Sequence, residues 1–100
     1  MEAKTLDAHI EVTPGVVGGK PRIAGRRIAV QHVAVWHERM GQSAEEIAGE
    51  YDLSLADVYA ALAYYHDHRE EIDERIREDE AFAEAFEREN PSGLRARLNG

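Results

Sequence analysis

Gly15-Val-Val-Gly-Gly-Lys20 is the stretch of this chain closest to a chemical motif. Glycines followed by lysine can cradle phosphate through backbone N–H groups. Here the spacing is one residue short of a phosphate loop, and Pro21 stands where a serine or threonine must hold magnesium. The stretch therefore reads as a tight turn that presents Lys20. Five histidines raise the question of metal binding. His32 and His37 are five apart, which does not place them on one helix face. His66 and His68 are two apart and point to different faces, and His37-Glu38 lacks the second histidine of a zinc helix. Glu70-Glu71, Asp73-Glu74 and Glu78-Asp79-Glu80 lie in a charge run, whereas catalytic carboxylates need a partly buried cleft to shift their pKa. No serine has a recognisable base motif around it. The residues support no enzyme, and neither a metal nor a cofactor is expected.

The charges have a direction along the chain. The net charge is -8 over 100 residues, which opposes whole-surface attraction to nucleic acid. From Val12 to His37 the only charges are Lys20, Arg22, Arg26 and Arg27, a local +4. From Asp67 to Asn90, eleven acids and four arginines give -7. Such bipolarity fits two different partners, one at each end, or two solvated surfaces. If nucleic acid binds, those four cations are the candidate contacts, each phosphate contact adding about 0.9 to the salt slope. They fit equally a solubilising edge or a docking surface for a partner subunit's acidic helix.

The elements that must position these groups follow from local pattern. One hundred residues make one small domain with room for an extension, whose limited core would gain from self-association. The absence of cysteine excludes disulfides and thiol chemistry. No apolar run suits a signal peptide or a membrane span, so a soluble, cytoplasmic chain is expected. His9–Thr13 alternates as a short strand, and Arg22–Ile28 reads as a second, with Gly25 at a turn or bulge. Two strands this short need each other, another chain or helices to pack on. Val30 to Met40 has helical spacing and is closed by Gly41. Ser43 and Glu46 form a capping box, and Ser54 with Asp57 repeats the pattern. Leu53 and Val58 stand at the spacing of a hydrophobic staple. Leu55, Val58, Leu62 and Tyr65 make the buried stripe of the helix that follows. Ser43 to Tyr65 is therefore helix, turn, helix, completed by the preceding helix. In such a motif the second helix enters the DNA major groove. Its outward side chains here are Ala56, Asp57, Ala60, Ala61, Ala63 and Tyr64, with no cation before Arg69. That face suits helix packing better than base reading. Arg69 to Asn90 is rich in helix formers and carries a narrow apolar stripe of Ile72, Ile76, Phe82, Ala83 and Phe86. Such a helix needs a partner surface over part of its length.

Pro14-Gly-Val-Val-Gly-Gly-Lys-Pro-Arg-Ile-Ala-Gly-Arg-Arg-Ile28, then Ser43-Ala-Glu-Glu-Ile47 and Asp52-Leu-Ser-Leu-Ala-Asp-Val-Tyr-Ala-Ala-Leu-Ala-Tyr-Tyr65, resemble family 433 of the domains of unknown function. The resemblance covers His9 to Ile72, with Val17 where a cysteine is common. It implies a mainly α fold: a homeodomain-like three-helix helix-turn-helix core, a short N-terminal β-hairpin or strand pair, and a long C-terminal helix. It also implies a VapB-like antitoxin paired with a PIN-like ribonuclease toxin, acting as a homodimer that binds its operator DNA. The expected organisation is a flexible N-terminus (1–8), a helix-turn-helix domain (9–66), an acidic helix (67–90) and a mobile tail (91–100). DNA would meet Lys20, Arg22, Arg26 and Arg27. By analogy with other antitoxins, the toxin would meet Ile72, Ile76, Phe82 and Phe86, with Arg95 or Arg97 entering its acidic, metal-binding site. The alternative is a protein-interaction or dimerisation module whose helix-turn-helix does not bind DNA.

Overall fold

The computed structural model describes residues 6–89, and within them two serines set where the central helices begin. Ser43 Oγ accepts from the Glu46 amide at 3.0 Å, and Glu46 Oε1 accepts from the Ser43 amide at 3.0 Å. This reciprocal box starts α2 (Ala44–Tyr51). It ends at Asp52, which takes the left-handed conformation at φ 54°. Aspartate tolerates this region better than most side chains. Two residues later Ser54 Oγ accepts from the Asp57 amide at 3.0 Å and opens α3 (Leu55–Asp67).

Before them, α1 (Val30–Ala34) runs on as one π-helical turn over Val35–Arg39. The Met40 amide bonds back five residues to the Val35 carbonyl at 3.1 Å, and Gly41 then turns the chain at φ 71°. Val30 and Val33 of α1, Ile47 of α2, and Val58 and Ala61 of α3 are fully enclosed and form the centre of the core.

The strand pair is present but shorter than its pattern. β1 (Ile10–Glu11) pairs antiparallel with β2 (Arg22–Ile23), in register Ile10 to Ile23 and Glu11 to Arg22. His9 lies instead in a 3-10 turn over Leu6–His9. Past Ile23, Gly25 at φ 76° folds the chain back so that the Ile23 amide meets the Ile28 carbonyl at 2.9 Å. That closure ends the second strand early. The strands pair with each other and pack on α3.

A break at His68 (φ -125°, ψ 33°) separates α3 from the 21-residue α4 (Arg69–Glu89). The His68 amide is shared between the Tyr64 and Tyr65 carbonyls, at 3.0 and 3.1 Å. Its imidazole stacks on Tyr64 with centroids 4.0 Å apart. The chain then turns so that Ile72 and Ile76 are buried, with α4 packed on α1 and α3. Beyond Glu80 α4 leaves the body and contributes to a long axis of 54 Å. The long C-terminal helix is as expected, except that its first turns belong to the core. Among the described residues no helix is long and apolar enough to cross a membrane.

Candidate functional site

The four cations of the N-terminal arm do not form one patch. Arg22 is only 9 % exposed. Its guanidinium donates to Glu11 Oε2 at 2.9 Å, to the Arg26 carbonyl at 2.9 Å and to Thr13 Oγ1 at 3.2 Å. A planar fork suits this enclosed, several-sided task. As a phosphate contact, Arg22 is therefore corrected: its charge is engaged inside the fold. Arg26 donates to the Tyr51 carbonyl at 2.7 Å and the Asp52 carbonyl at 2.8 Å. It caps the end of α2, where free carbonyls and the helix dipole favour a cation. Lys20 Nζ lies 3.2 Å from Asp79 of α4. Arg27 is exposed and has no partner among the described residues.

Acidic α4 thus meets basic residues of its own chain. Asp79 accepts from Gln31 at 2.6 Å as well as from Lys20. The hydrogen bonds from Gln31 and Lys20 hold its carboxyl below the usual carboxylate range. Arg39 pairs with Glu80 one residue further on. These contacts are exposed and individually weak.

Ile72 and Ile76, expected to face a partner, are 2 % and 3 % exposed. They are corrected to core residues, because α4 bends at His68 and lays them on α1 and α3. Phe82 is different, at 73 % exposed, and Phe86 one turn on is 42 % exposed. With Ala83 and Glu87 they line a shallow apolar depression on the projecting half of α4. Arg95 and Arg97 lie outside the described residues, as does the tail they belong to.

The structure adds a link with no local signal. His9, 8 % exposed, places Nδ1 2.7 Å from Asp57 Oδ1, 48 residues away. The imidazole N–H donates to the carboxylate and ties the arm to the first turn of α3. Burial alone would raise the Asp57 carboxyl, but the bonds from His9 and Ser54 and the His9 charge outweigh it and leave the carboxyl lowered. A lowered folded value means that this stabilisation is present above the unfolded value of about 3.9 and is lost as pH falls through the folded one. Asp57→Asn is therefore expected to be the less stable protein near neutral pH, with the gap closing in acid. Urea midpoints of both proteins across that range test it; a gap that stays constant would show that the pair contributes nothing titratable.

The remaining histidines are scattered. His32 Nδ1 accepts from the Ala29 amide at 3.1 Å and its ring stacks toward Trp36, which stacks on Tyr51 at 3.9 Å. His37 donates to the Gln42 carbonyl at 2.8 Å, and His66 approaches Glu38 at 3.8 Å. Among the described residues no group of three histidines and acids could hold a metal ion.

On α3, the helix that would read DNA, the outer face offers Leu55, Ala56 and Tyr59: Leu55, expected in the buried stripe, is exposed, while Ala60 and Ala61, expected outward, are buried in the core. The N-terminal arm runs beside it, leaving a cleft of about 310 Å³ lined by Ile10, Val12, Ala60, Ala63, Tyr64, Asp67 and His68.

The family described as "Protein of unknown function (DUF433)" matches residues 10–65. The crystal structure of a DUF433 member protein from Anabaena variabilis ATCC 29413 is similar to this chain at 36 % identity and a TM-score of 0.66, covering 72 % of this chain and 71 % of that one. No curated protein matches the chain.

Proposed function

We propose that this chain, which belongs to the DUF433 family of proteins of unknown function, is a protein-interaction module of the antitoxin type. It acts in the cytoplasm, and its projecting α4 seats in an apolar groove of a PIN-like ribonuclease. One observation carries this reading: Phe82 is 73 % exposed on a helix whose root is pinned by buried Ile72 and Ile76. A large aromatic ring held in water on a stiff, anchored rod loses little conformational freedom on docking. The acids around it, Glu84, Glu87 and Glu89, favour a groove rimmed by cations. Exposed aromatic anchors of this kind carry about 2 kcal/mol or more each when they fill a pocket. Phe82→Ala should therefore weaken binding to the neighbouring ribonuclease about 30-fold or more, and co-expression of this variant should no longer prevent the ribonuclease from inhibiting growth. Neutralisation as strong as that of the unaltered chain would sink the reading.

Operator binding is the second reading, supported by exposed, unpartnered Arg27 and by the helix-turn-helix arrangement of α2 and α3. In this reading Arg27 leads, and Lys20 joins only when it leaves Asp79. A salt-dependent mobility shift with the chain's own promoter, lost in Arg27→Glu, would support it. Binding that survives Arg27→Glu would exclude Arg27 as its leading contact.

A further inference from the structure

We propose that the cleft between α3 and the N-terminal arm binds a small primary amine in its protonated form, an ammonium group carried on a flat apolar body. The cleft holds about 310 Å³, at the lower end of the roughly 300–1,000 Å³ that small-molecule sites occupy. Along α3 its lining changes character. Ala60 and Ala63 come first, with Ile10 and Val12 of the arm completing an apolar wall. Two alanines three residues apart share one side of the helix and leave a flat floor for a ring. Tyr64, Asp67 and His68 follow at the C-terminal end of the helix and make the lining polar. From Ala60 to Asp67 is about 10 Å of helix, the length of one ring and a short linker to a charged group.

The polar end is built to receive hydrogen-bond donors and positive charge. The Asp67 carboxylate has no partner among the described residues. Its basic neighbours are engaged elsewhere: Arg69 lies 3.6 Å from Asp73 and over the Tyr65 ring, and His66 approaches Glu38 at 3.8 Å. Glu70 and Glu71 add to the negative field just beyond. His68 Nδ1–H donates to the Tyr64 carbonyl at 3.0 Å, which leaves Nε2 as an acceptor. The Tyr64 hydroxyl is also without a partner among the described residues. Carboxylate, imidazole nitrogen and phenol oxygen match the three N–H donors of a primary ammonium. The Tyr64 and His68 rings are stacked on each other, so the polar end is in place before a ligand arrives. No lysine or arginine lines the cleft, so a phosphate or carboxylate ligand has no charged partner there. A net charge of -8 draws every cation toward the chain. The apolar wall is what selects an amine with an apolar body over a bare ion.

The test is a titration of the full chain with phenethylammonium chloride at constant ionic strength, followed by amide nitrogen–proton NMR spectra. The signals of Ile10, Ala60, Ala63 and Asp67 should shift together and saturate. Asp67→Asn keeps the shape and removes the charge, and should weaken binding about two- to fivefold. Ala63→Leu fills the cleft, and should weaken it about tenfold or more. Leucine is a good helix former and Ala63 is partly exposed, so unchanged circular dichroism is expected for that variant. Phe82→Ala should bind the probe as the unaltered chain does, which separates this site from the α4 docking reading. Two further probes divide the chemistry: phenethyl alcohol has the body without the charge, and ammonium chloride has the charge without the body. Both should bind more weakly than phenethylammonium. The proposal is overturned if those four signals do not saturate, or if either further probe matches phenethylammonium. Unchanged affinity in Asp67→Asn, or in a folded Ala63→Leu, overturns it as well.

Discussion

Replacing Ile76 by alanine is expected to destabilise the fold by about 2–5 kcal/mol, whereas Phe82→Ala, six residues along the same helix, should cost less than about 0.5 kcal/mol. Ile76 is 3 % exposed and Ile72 2 %. The other contacts of α4 with the body are mainly polar: Asp79 with Lys20 and Gln31, Glu80 with Arg39. Exposed ion pairs contribute about 0–1 kcal/mol each and weaken with salt. The two isoleucines therefore carry the attachment of α4. A small domain is stabilised by only about 5–15 kcal/mol in all, so this one truncation removes a large share. Urea unfolding followed by two probes checks it. Fluorescence of Trp36, the single tryptophan, reports the core, where its ring stacks on Tyr51. Far-ultraviolet dichroism is weighted toward the 21 residues of α4. If α4 is built into the core, both transitions of Ile76→Ala shift together. A shift in dichroism alone would show that α4 melts as a separate unit.

The contrast between Ile76 and Phe82 also marks what a one-dimensional pattern can resolve. The apolar stripe of α4 was legible as a stripe, and its narrowness indicated that something must cover it. Which surface does so depends on the bend at His68, and that bend has no glycine or proline to announce it. It comes from an amide shared between two carbonyls and an imidazole stacked on Tyr64, geometry that exists only once the helices are in place. The caps of α2 and α3 were legible because each closes within four residues. Ser43 with Glu46 and Ser54 with Asp57 need nothing distant to be recognised. The Asp57 carboxylate shows the limit of this: its place in the first turn was clear, but its bond to His9 spans 48 residues. The strands are shorter than their sequence pattern for a related reason. Alternation marks β-favouring residues, while the turn at Gly25 decides how many of them pair.

Arg22→Ala is expected to destabilise the protein by about 2–3 kcal/mol, and Arg27→Ala by less than about 0.5 kcal/mol, although the two look alike in a basic, glycine-rich stretch. Removing Arg22 strands the Arg26 carbonyl and Thr13 Oγ1 around a side chain that is 9 % exposed. Glu11 is 47 % exposed at its side chain and can turn to water, which keeps the loss below that of a fully buried pair. Arg22→Lys should recover only part of it, because one ammonium cannot reach Glu11, Thr13 and the Arg26 carbonyl as a planar fork does. The loop that Arg22 closes also carries Arg26, the cap of α2, so slackening it exposes the free carbonyls at that helix end. This sets how a nucleic-acid experiment on the arm must be read. Loss of a mobility shift in Arg22→Ala at a temperature where the variant is partly unfolded reports folding. Loss in Arg27→Glu, with an unchanged thermal midpoint, reports contact. Equal, small stability effects for both arginines would mean that the bonds around Arg22 do not hold the arm, and would return it to the set of candidate phosphate contacts.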